Sequence, residues 1–310
     1  MSARPRICVI GASNIDLVSM VPRLPRLGET IVGRSFHIGF GGKGANQAVM
    51  AARLGARVAM VTKVGRDVFG ERMRRNYGEQ GIDLAYVQDD ARFSGVAPIF
   101  VDDAAQNFIV IIPGANLGLS PSDARSAAPA IQGADALVGQ LEVPAETTLE
   151  AFRLAKAKHV QTILNPAPAA AHPDELLRLT DLCVPNETEA ETLTGQPVAT
   201  IGEAGAAARA LLARGPSAVL ITLGDRGSLL ADGRTVEHLP PVRVEAVDPT
   251  GAGDAFIGSL AVFLAEGLAL REAARRANAV AALSVTRVGS QASFPSRAAA
   301  DAFLAERGMI

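Results

Sequence analysis

Asp248-Pro-Thr-Gly-Ala-Gly-Asp254 runs directly into the apolar stretch Ala255-Phe-Ile-Gly-Ser-Leu-Ala261. The glycines at positions 251 and 253 permit positive φ and close backbone approach, so successive N–H groups can point at one anion. The apolar stretch predicts a helix over about 253–266, and its N-terminus would add a favourable dipole at the same place. This loop and helix therefore predict an anion-binding site.

Asp254 is the residue that gives this segment a possible chemistry. A carboxylate beside an anion hole would oppose simple anion binding. It makes sense if the acid removes a proton from a hydroxyl while the backbone amides hold the phosphoryl group under attack. The alternative is a Gly-rich turn whose acidic first-turn residue stabilises the helix dipole. Both interpretations stay open on this segment alone.

Outward from this segment, short β-rich runs alternate with longer helical patterns, which is typical of parallel βαβ units. Strands are predicted at 6–10, 58–62, 136–138, 160–164, 182–184 and 218–222. Helices are predicted at 45–54, 67–80, 145–158, 187–194, 203–213, 253–266 and 270–287, the last two closing the chain. We therefore predict an α/β fold: a doubly wound, mostly parallel sheet flanked by helices.

Two segments interrupt the alternation. Residues 17–40 contain short β-type runs between prolines and glycines, and residues 93–112 show two apolar runs around the polar turn 102–107. The second segment predicts a hairpin. Extra strands inserted near the start of an α/β chain often cover a site, so we expect a single domain over residues 1–310 with a discontinuous small β-sheet lid.

Composition excludes several classes of protein. The 310 residues are 48% hydrophobic and 20% charged, with a formal net charge of −2, which fits a globular chain and argues against nucleic-acid binding through bulk charge. Cys8 and Cys183 form no CxxC pair, and the four histidines are scattered, so neither a disulfide framework nor a thiolate zinc cluster is expected. No apolar span reaches membrane length, so we expect a cytoplasmic protein that binds neither membrane nor nucleic acid.

The run Gly39-Phe-Gly-Gly-Lys-Gly-Ala-Asn46-Gln is the second glycine-rich segment. It follows the first strand by about thirty residues, which argues against a dinucleotide fingerprint, and Ala45 stands where a P-loop requires lysine. Lys43, one of few lysines in an arginine-rich chain, and Asn46 on the next helical turn are well placed to hold a polyhydroxyl ligand. A flexible turn with a solvated lysine is the alternative.

Polar residues follow several predicted strands. Asn14 and Asp16 come just after the first strand, where open α/β sheets bind ligands, and their spacing in an extended segment places both side chains on one face. Such a pair suits a sugar diol, although turn formation explains both residues more simply when the pair is taken alone. Glu142 follows the strand at 136–138. Asn186 and Glu189 read as a helix-capping pair and equally as oxygen ligands for hydrated magnesium.

Taken together, these segments resemble the ribokinase-like carbohydrate kinases. The two signatures of that family are matched by Gly41-Gly-Lys-Gly-Ala-Asn-Gln-Ala48 and Asp248-Pro-Thr-Gly-Ala-Gly-Asp254-Ala-Phe256. Asn14-Ile-Asp16, Asn165-Pro-Ala-Pro168 and Asn186-Glu-Thr-Glu189 fall in the family's order, so the resemblance spans essentially the whole chain. The first run, with Asn14, Asp16 and Glu142, points to the members that phosphorylate ribose.

The resemblance implies a role for each matching residue. Asp254 would be the base for the sugar's primary hydroxyl, and the anion hole would consist of Gly251, Ala252 and Gly253. Besides Asp254, the ribose contacts would be Asn14, Asp16, Gly42, Lys43, Asn46 and Glu142. The ATP contacts would be Asn186, Thr222, Gly224, Gly227, Gly253 and Asn278.

The resemblance also implies ions and a partner. Glu189 would organise Mg²⁺ through water. K⁺ would bind beside the anion hole at Asp248, Thr250, Ser284, Arg287, Gly289 and Ser293, several of them through backbone carbonyls. The members that phosphorylate ribose commonly form homodimers through their lids, so a homodimer is expected.

The leading hypothesis from the sequence is thus ATP-dependent phosphorylation of D-ribose at its 5-hydroxyl, giving ribose 5-phosphate and ADP. A kinase of the same fold for another sugar or a nucleoside is the nearest alternative. A catalytically silent sugar sensor is a second, which the intact Asp254 and Gly-Ala-Gly disfavour. A nicotinamide-dependent oxidoreductase is weaker, because the glycine-rich turn follows the wrong segment.

Overall fold

The computed structural model describes residues 4–104 and 106–310; Ala105, within the predicted 102–107 turn, lies outside them. The strands are β1 (Arg6–Ile10), β2 (Asn14–Met20), β3 (Ser35–Gly41), β4 (Arg57–Gly65), β5 (Val87–Asp90), β6 (Gly95–Val101), β7 (Asn107–Ile109), β8 (Ala136–Gly139), β9 (Gln161–Leu164), β10 (Leu182–Cys183), β11 (Ala218–Thr222), β12 (Ser228–Ala231) and β13 (Val236–Leu239).

The helices alternate with these strands along most of the chain. They are α1 (Lys43–Arg53), α2 (Val68–Glu79), α3 (Pro121–Ser126), α4 (Ala128–Gln132), α5 (Ala145–Lys156), α6 (Asp174–Arg178), α7 (Glu187–Thr194), α8 (Ile201–Leu212), α9 (Ala252–Ala265), α10 (Leu270–Ser284) and α11 (Arg297–Ala305). In the described part of the chain, no helix combines the length and apolarity needed to cross a membrane.

The large sheet has the strand order β13-β12-β11-β10-β9-β8-β1-β4-β5. Every neighbouring pair from β10 and β11 through to β4 and β5 is parallel. At one edge the pairs β11–β12 and β12–β13 are antiparallel, so β12 alone runs against the other strands. β1 lies between β8 and β4, so the strand order reverses there. A crevice at the carboxyl ends of the strands is expected at such a point. The predicted doubly wound sheet is confirmed.

The apolar core lies on both faces of the large sheet. On one face α1 packs against α9, and this packing needs a glycine, because a Cβ on Gly258 would lie 2.7 Å from the backbone oxygen of Gln47. The close approach of the two helices sets the first turn of α1 beside the first turn of α9. The two glycine-rich signatures, about 200 residues apart in sequence, therefore meet.

A second, four-stranded sheet has the order β3-β2-β6-β7. β2 pairs antiparallel with β3 and parallel with β6, and β6 pairs antiparallel with β7. The sheet begins at Asn14, three residues before the predicted 17–40 segment, because the chain continues as strand after a short break beyond β1. Asn14 and Asp16 therefore lie on this smaller sheet.

The structure corrects the predicted elements in several places. α1 begins at Lys43 rather than Ala45, since Gly42, with φ of 85°, starts the helix. The chain also does not close with two helices: α11 follows, with Ser296 at its N-cap accepting a hydrogen bond from the Ala299 N–H. The antiparallel strands β12 and β13 were not predicted either, because both are only four residues long.

Candidate active site

The N-terminus of α9 forms one wall of a cleft of about 190 Å³. Gly251 caps the helix with φ of 80°, and a Cβ there would lie 3.1 Å from Ser290 Cα and from the ring of Phe294. Only glycine fits this position without strain. Gly251, Ala252 and Gly253 all line the cleft. The Ala252 N–H donates to the Pro249 carbonyl at 3.1 Å, whereas the N–H groups of Gly251 and Gly253 have no backbone acceptor among the described residues and are available to an anion.

Asp254 lies in the first turn of α9, lines the same cleft and is 8% exposed. Its Oδ2 accepts a hydrogen bond of 2.8 Å from Asn46 Nδ2, and its Oδ1 accepts one of 2.9 Å from Gln47 Nε2. Both donors belong to the first turn of α1. The carboxylate is therefore fixed by two amides while still reaching the cleft.

Lys43 stands among carboxylates at the centre of the site. Burial lowers the pKa of its ammonium, but the negative charges of Asp254, Glu142 and Glu189 outweigh burial and leave that pKa above its ordinary value. The backbone N–H of Lys43 donates to Glu142 Oε2 at 2.7 Å. Burial raises the pKa of Glu142, and the charge of Lys43 opposes the shift. Lys43 is thus a permanent cation facing the cleft.

Asp16 lies on β2, directly over Gly41. A Cβ on Gly41 would be 2.3 Å from Asp16 Oδ1, so the carboxylate occupies the space that any side chain at position 41 would need. Burial, with a contribution from the charge of Asp254, raises the pKa of Asp16 to about 6. The neighbouring Gly42 has φ of 85°, and a Cβ there would meet the backbone oxygen of Ala12 at 2.7 Å.

Asn14 is held by Asn116, which the sequence analysis did not single out. Asn116 Nδ2 donates to Asn14 Oδ1 at 2.8 Å, and Asn116 Oδ1 accepts from the Ser13 N–H at 2.9 Å. With its oxygen engaged, Asn14 presents Nδ2 as a donor. Asn14, Asn116 and Glu142 line a second cleft of about 320 Å³, whose other walls are mainly apolar and include Ile111 and Leu117.

Asn186 and Glu189 cap α7, which was one of the two roles that the sequence allowed for them; the other was ligation of hydrated magnesium. Asn186 Oδ1 accepts from the Glu189 N–H at 2.8 Å, and Glu189 Oε2 accepts from the Asn186 N–H at 2.9 Å. Both residues also line the first cleft, so capping does not remove them from the site. Burial raises the pKa of Glu189.

The predicted ATP contacts are only partly brought together. Thr222, at the end of β11, lines the first cleft with Asn186 and Gly253. Gly224 and Gly227 form the turn that follows β11, with φ of 57° and 86°. Asn278 lies on α10, and its Nδ2 donates to Ser228 Oγ at 3.0 Å. These last three residues do not line that cleft.

The predicted potassium residues lie on two joined segments. Asp248 accepts hydrogen bonds from the Thr250 N–H at 2.9 Å and the Gly289 N–H at 2.7 Å. The hydroxyls of Ser284 and Ser293 donate to nearby backbone carbonyls, and Arg287 is exposed. Within residues 4–104 and 106–310, no group of three or more His, Cys, Asp or Glu side chains is arranged to hold a metal ion.

Two further residues of the site lie in segments that match the family but were given no role from the sequence. Asn165, at the end of β9, lines the first cleft, and its Oδ1 accepts from Gln47 Nε2 at 3.2 Å. An Asn-Pro step just after a buried strand was the available signal. Gln47 adjoins Asn46 in the glycine-rich run, but at its position in a helix it reads as an ordinary residue.

Residues 4–297 match the sequence model of a family described as pfkB family carbohydrate kinase. The match covers both glycine-rich segments and nearly the whole large sheet. The protein is therefore an enzyme, a carbohydrate kinase.

Individual relatives refine this class. The ribokinase of Mus musculus is 46% identical over 296 residues, covering 93% of this chain and 91% of that protein. A deoxyribokinase of Salmonella typhi is 44% identical over 292 residues, covering 94% and 95%. The structure of Arabidopsis thaliana ribokinase complexed with ribose and ATP matches with a TM-score of 0.92 at 31% identity, covering 97% and 99%. The chain belongs to the pfkB family of carbohydrate kinases, and its predicted resemblance to ribokinases is confirmed.

Proposed function

We propose that this carbohydrate kinase transfers the γ-phosphoryl group of ATP to the 5-hydroxyl of D-ribose, producing ribose 5-phosphate and ADP. The observation that carries the proposal is the position of Asp254, a buried carboxylate in the first turn of α9, directly after Gly251–Gly253, whose backbone lines the same cleft. The similarity to the Arabidopsis thaliana ribokinase complexed with ribose and ATP supports both substrates.

Asp254 acts as the general base in this mechanism. Its carboxylate takes the proton of the 5-hydroxyl as that oxygen forms a bond to the γ-phosphorus, and the bond from phosphorus to the β–γ bridging oxygen breaks with its electrons leaving on ADP. The N–H groups of residues 251–253 and the ammonium of Lys43 stabilise the negative charge on the transferring group. Catalysis then consists mainly of positioning and electrostatic stabilisation.

Mg²⁺ would enter with ATP. Magnesium keeps several waters and takes few protein carboxylates, and Glu189 offers one carboxylate at the edge of the first cleft. Its Oε2 accepts the Asn186 N–H, which leaves Oε1 for a coordinated water. The ion supplies charge neutralisation on the phosphates, while Asn186 and Glu189 fix where that charge lies.

The function is tested by turnover of ATP in a coupled assay with pentoses, hexoses and nucleosides. We expect D-ribose to give the highest kcat/KM. Deoxyribose is the second candidate, because a deoxyribokinase is 44% identical over nearly the full chain. A preference for a hexose or nucleoside would refute ribose as the substrate, and no ADP release with any sugar would favour a sugar sensor.

Asp16→Ala should raise the KM for ribose. The carboxylate would be a half-buried acceptor for sugar hydroxyls, and losing a hydrogen bond to a charged group costs roughly 1.5–3 kcal/mol. We expect a rise of about tenfold or more with kcat less affected. The measurement is steady-state kinetics on a variant whose circular dichroism matches wild type. An unchanged KM in that folded variant would remove Asp16 from the sugar site.

The raised pKa of Asp16 also predicts a pH dependence. Below its pKa of about 6 the side chain is protonated and accepts fewer hydrogen bonds, so the KM for ribose should rise as pH falls through 6. Because the folded state holds this proton more tightly than the unfolded state, the contribution of Asp16 to stability falls as pH rises from about 4 to 6. Asp16→Asn should therefore melt higher than wild type at pH 8, with the difference vanishing near pH 4. A pH-independent KM in wild type would contradict this.

Potassium should activate the enzyme more than sodium. The proposed ion would lie between the Asp248–Thr250 turn and the 284–293 segment, which the Val285 carbonyl and the Gly289 N–H already hold together. Oxygen donors on both segments fit a monovalent cation that shapes the anion hole without touching the sugar. The test compares kcat in potassium, sodium and an organic-cation buffer at constant ionic strength. Equal rates in all three would refute the proposed site.

We propose that the small sheet, from about 17–40 and 93–112, is a lid on the single 1–310 domain and also the dimer interface. One row across the sheet contains three phenylalanines. Ser19 on β2 is paired in register with Phe36 on β3 and with Phe100 on β6, and Phe100 is paired with Phe108 on β7. Phe36 is 59% and Phe108 38% exposed, with the half-buried Phe100 between them, and a row of partly exposed aromatics supports a protein interface at this face.

Phe108→Glu should therefore convert a dimer into a monomer in sedimentation velocity. Val236→Glu is the matched control, because Val236 has similar exposure (41% against 38%) but lies on the far edge strand of the large sheet. We expect the control to keep the wild-type mass. A monomeric wild-type protein, or a dimeric Phe108→Glu variant, would refute the lid interface.

A cytoplasmic location completes the proposal. Both cysteines are free and fully buried, as suits a reducing compartment, and burial raises the pKa of each thiol to about 12. ATP as a substrate is consistent with that compartment. Fractionation of cells expressing the tagged chain tests it.

A further inference from the structure

Two chains of buried amide side chains end on the carboxylate of Asp254. One runs from Gln140 through Gln47, and the other from Asn76 through Gln291 and Asn46. Each of these five side chains is less than 9% exposed. We call them the amide relay, comprising Asn46, Gln47, Asn76, Gln140 and Gln291. Apart from Asn46, none has a role in the function proposed above, and none lines either cleft.

The first chain has only one consistent direction. A carboxylate only accepts hydrogen bonds, so Gln47 must present Nε2 to Asp254 and keep Oε1 on its other side. Gln140 Nε2 donates to that Oε1 at 2.5 Å. If Gln140 were lost, Gln47 would keep its bonds to Asp254 and Asn165 but its Oε1 would lose the donor that holds it from the other side. Gln140 therefore fixes the position of the Gln47 amide, whose orientation is set by Asp254.

Gln140 is itself held by the end of β1. Its Oε1 has no hydrogen-bond partner among the described residues, and it packs against Gly11, where an added Cβ would be 1.9 Å from it. Turning the Gln140 amide over would place two amide oxygens against each other and an N–H₂ group against the Gly11 backbone carbon. Packing thus selects the observed orientation.

The hydrogen bonds of the second chain also have only one consistent direction, and they reach Asp254 from the opposite side. Asn76 Nδ2 donates to Gln291 Oε1 at 2.9 Å, and Gln291 Nε2 donates to Asn46 Oδ1 at 3.0 Å. Asn46 must then present Nδ2 to Asp254. Every donor in both chains points toward the carboxylate, and hydrogen bonds aligned in this way polarise one another.

We propose that Gln47, Gln140, Gln291 and Asn76 are positioning residues that hold the carboxylate of Asp254 in the orientation needed for proton abstraction. Each oxygen of Asp254 accepts one amide hydrogen and keeps a second lone pair, so the relay fixes the group without blocking the incoming proton. The inference rests on the proposed role of Asp254 as the base. A misplacement of about 1 Å caused away from the reacting atoms can cost about 10²-fold in rate.

The test uses Gln47→Met, Gln140→Met and the double variant, because methionine keeps the length of glutamine without its hydrogen bonds. We expect Gln140→Met to lower kcat by roughly 10- to 100-fold with the KM for ribose within about threefold of wild type. The double variant should be no slower than Gln47→Met, since Gln140 acts only through Gln47. If Gln47 and Gln140 affected only the stability of the fold, the loss of kcat in the double variant would equal the product of the losses in the two single variants.

Thr162→Val is the matched control. Thr162 is buried in β9, and its Oγ1 donates to the Leu179 carbonyl at 2.6 Å and accepts from the Asp181 N–H at 3.0 Å. The variant removes these bonds, so it should lower the melting temperature while keeping kcat. A kcat for Gln140→Met equal to that of the control would overturn the proposal, as would a double variant whose loss is the product of the single losses. If Gln140→Met does not fold, Gln140→Asn, which is too short to reach Gln47, carries the same expectations.

Asp254→Asn separates this inference from the proposed function. If Asp254 is the base, that variant is slow, and adding Gln140→Met to it should cause no further loss of kcat. If Asp254→Asn has a low kcat while Gln140→Met has the wild-type kcat, the role of the amide relay is refuted and the assignment of Asp254 as the base stands. A wild-type rate for Asp254→Asn would refute the base itself.

Discussion

Replacing Asp254 by asparagine should lower kcat by about 10²–10⁴-fold, the usual contribution of a general base. Asparagine keeps the size of the side chain but cannot take the proton of the sugar hydroxyl. Some turnover should persist, because the N–H groups at the start of α9 and the bound geometry remain. The KM for ribose should change much less than kcat.

The same preparation should be examined for stability. Asparagine offers one oxygen, so it can accept from Asn46 or from Gln47 but not from both, and one buried donor loses its partner at a cost of roughly 1–3 kcal/mol. If the carboxylate served only the helix dipole, the variant would lose the same hydrogen bond and about 0.3–1 kcal/mol of dipole stabilisation, but its kcat would stay near wild type. A variant with the wild-type kcat would refute the catalytic assignment.

Gly253→Pro should lower kcat by about 10²–10³-fold, the usual loss when one donor of an anion hole is removed. Gly253 is the second residue of α9, where the N–H has no acceptor within the helix, so proline deletes this donor with little effect on helical hydrogen bonding. A Cβ at this position meets no heavy atom within 4 Å. The loss should appear in kcat with ATP and ribose saturating.

Gly253→Ala is the comparison for this prediction, since it adds the Cβ but keeps the N–H. It should lose far less activity than Gly253→Pro, and both should have melting temperatures close to wild type. Equal kcat values for the two variants would show that the N–H of residue 253 does not bind the transferring phosphoryl group. A large fall in the melting temperature of Gly253→Pro alone would point to a folding defect and would be checked by circular dichroism.

Sequence reasoning located the elements whose signals are local. The strand at 218–222 was predicted at its observed bounds, because a short apolar run between turn residues has few alternative structures. The meeting of the two glycine-rich segments follows from the packing of α1 on α9. Strands of two to four residues, such as β12, β13 and β10, carry too little periodicity for their ends to be predicted.

The amide relay shows what sequence reasoning could not reach. Gln47 is 93 residues from Gln140, and Asn46 is 245 residues from Gln291, and an isolated glutamine has no periodicity or spacing that marks it. Lys43, Asp16 and Asp254 were found because charge and glycine neighbours are visible locally. Neutral amides acquire their role only from the fold that brings them together.

The contact between Asp16 and Gly41 has a consequence for how this site can evolve. Because the carboxylate fills the space above residue 41, a side chain at 41 would push the Asp16 carboxylate out of its observed position. Substitutions at the two positions are therefore coupled. In a library randomised at both positions, active clones with a non-glycine residue at 41 should be enriched in smaller residues at 16, which makes the pair a single unit for directed evolution toward other sugars.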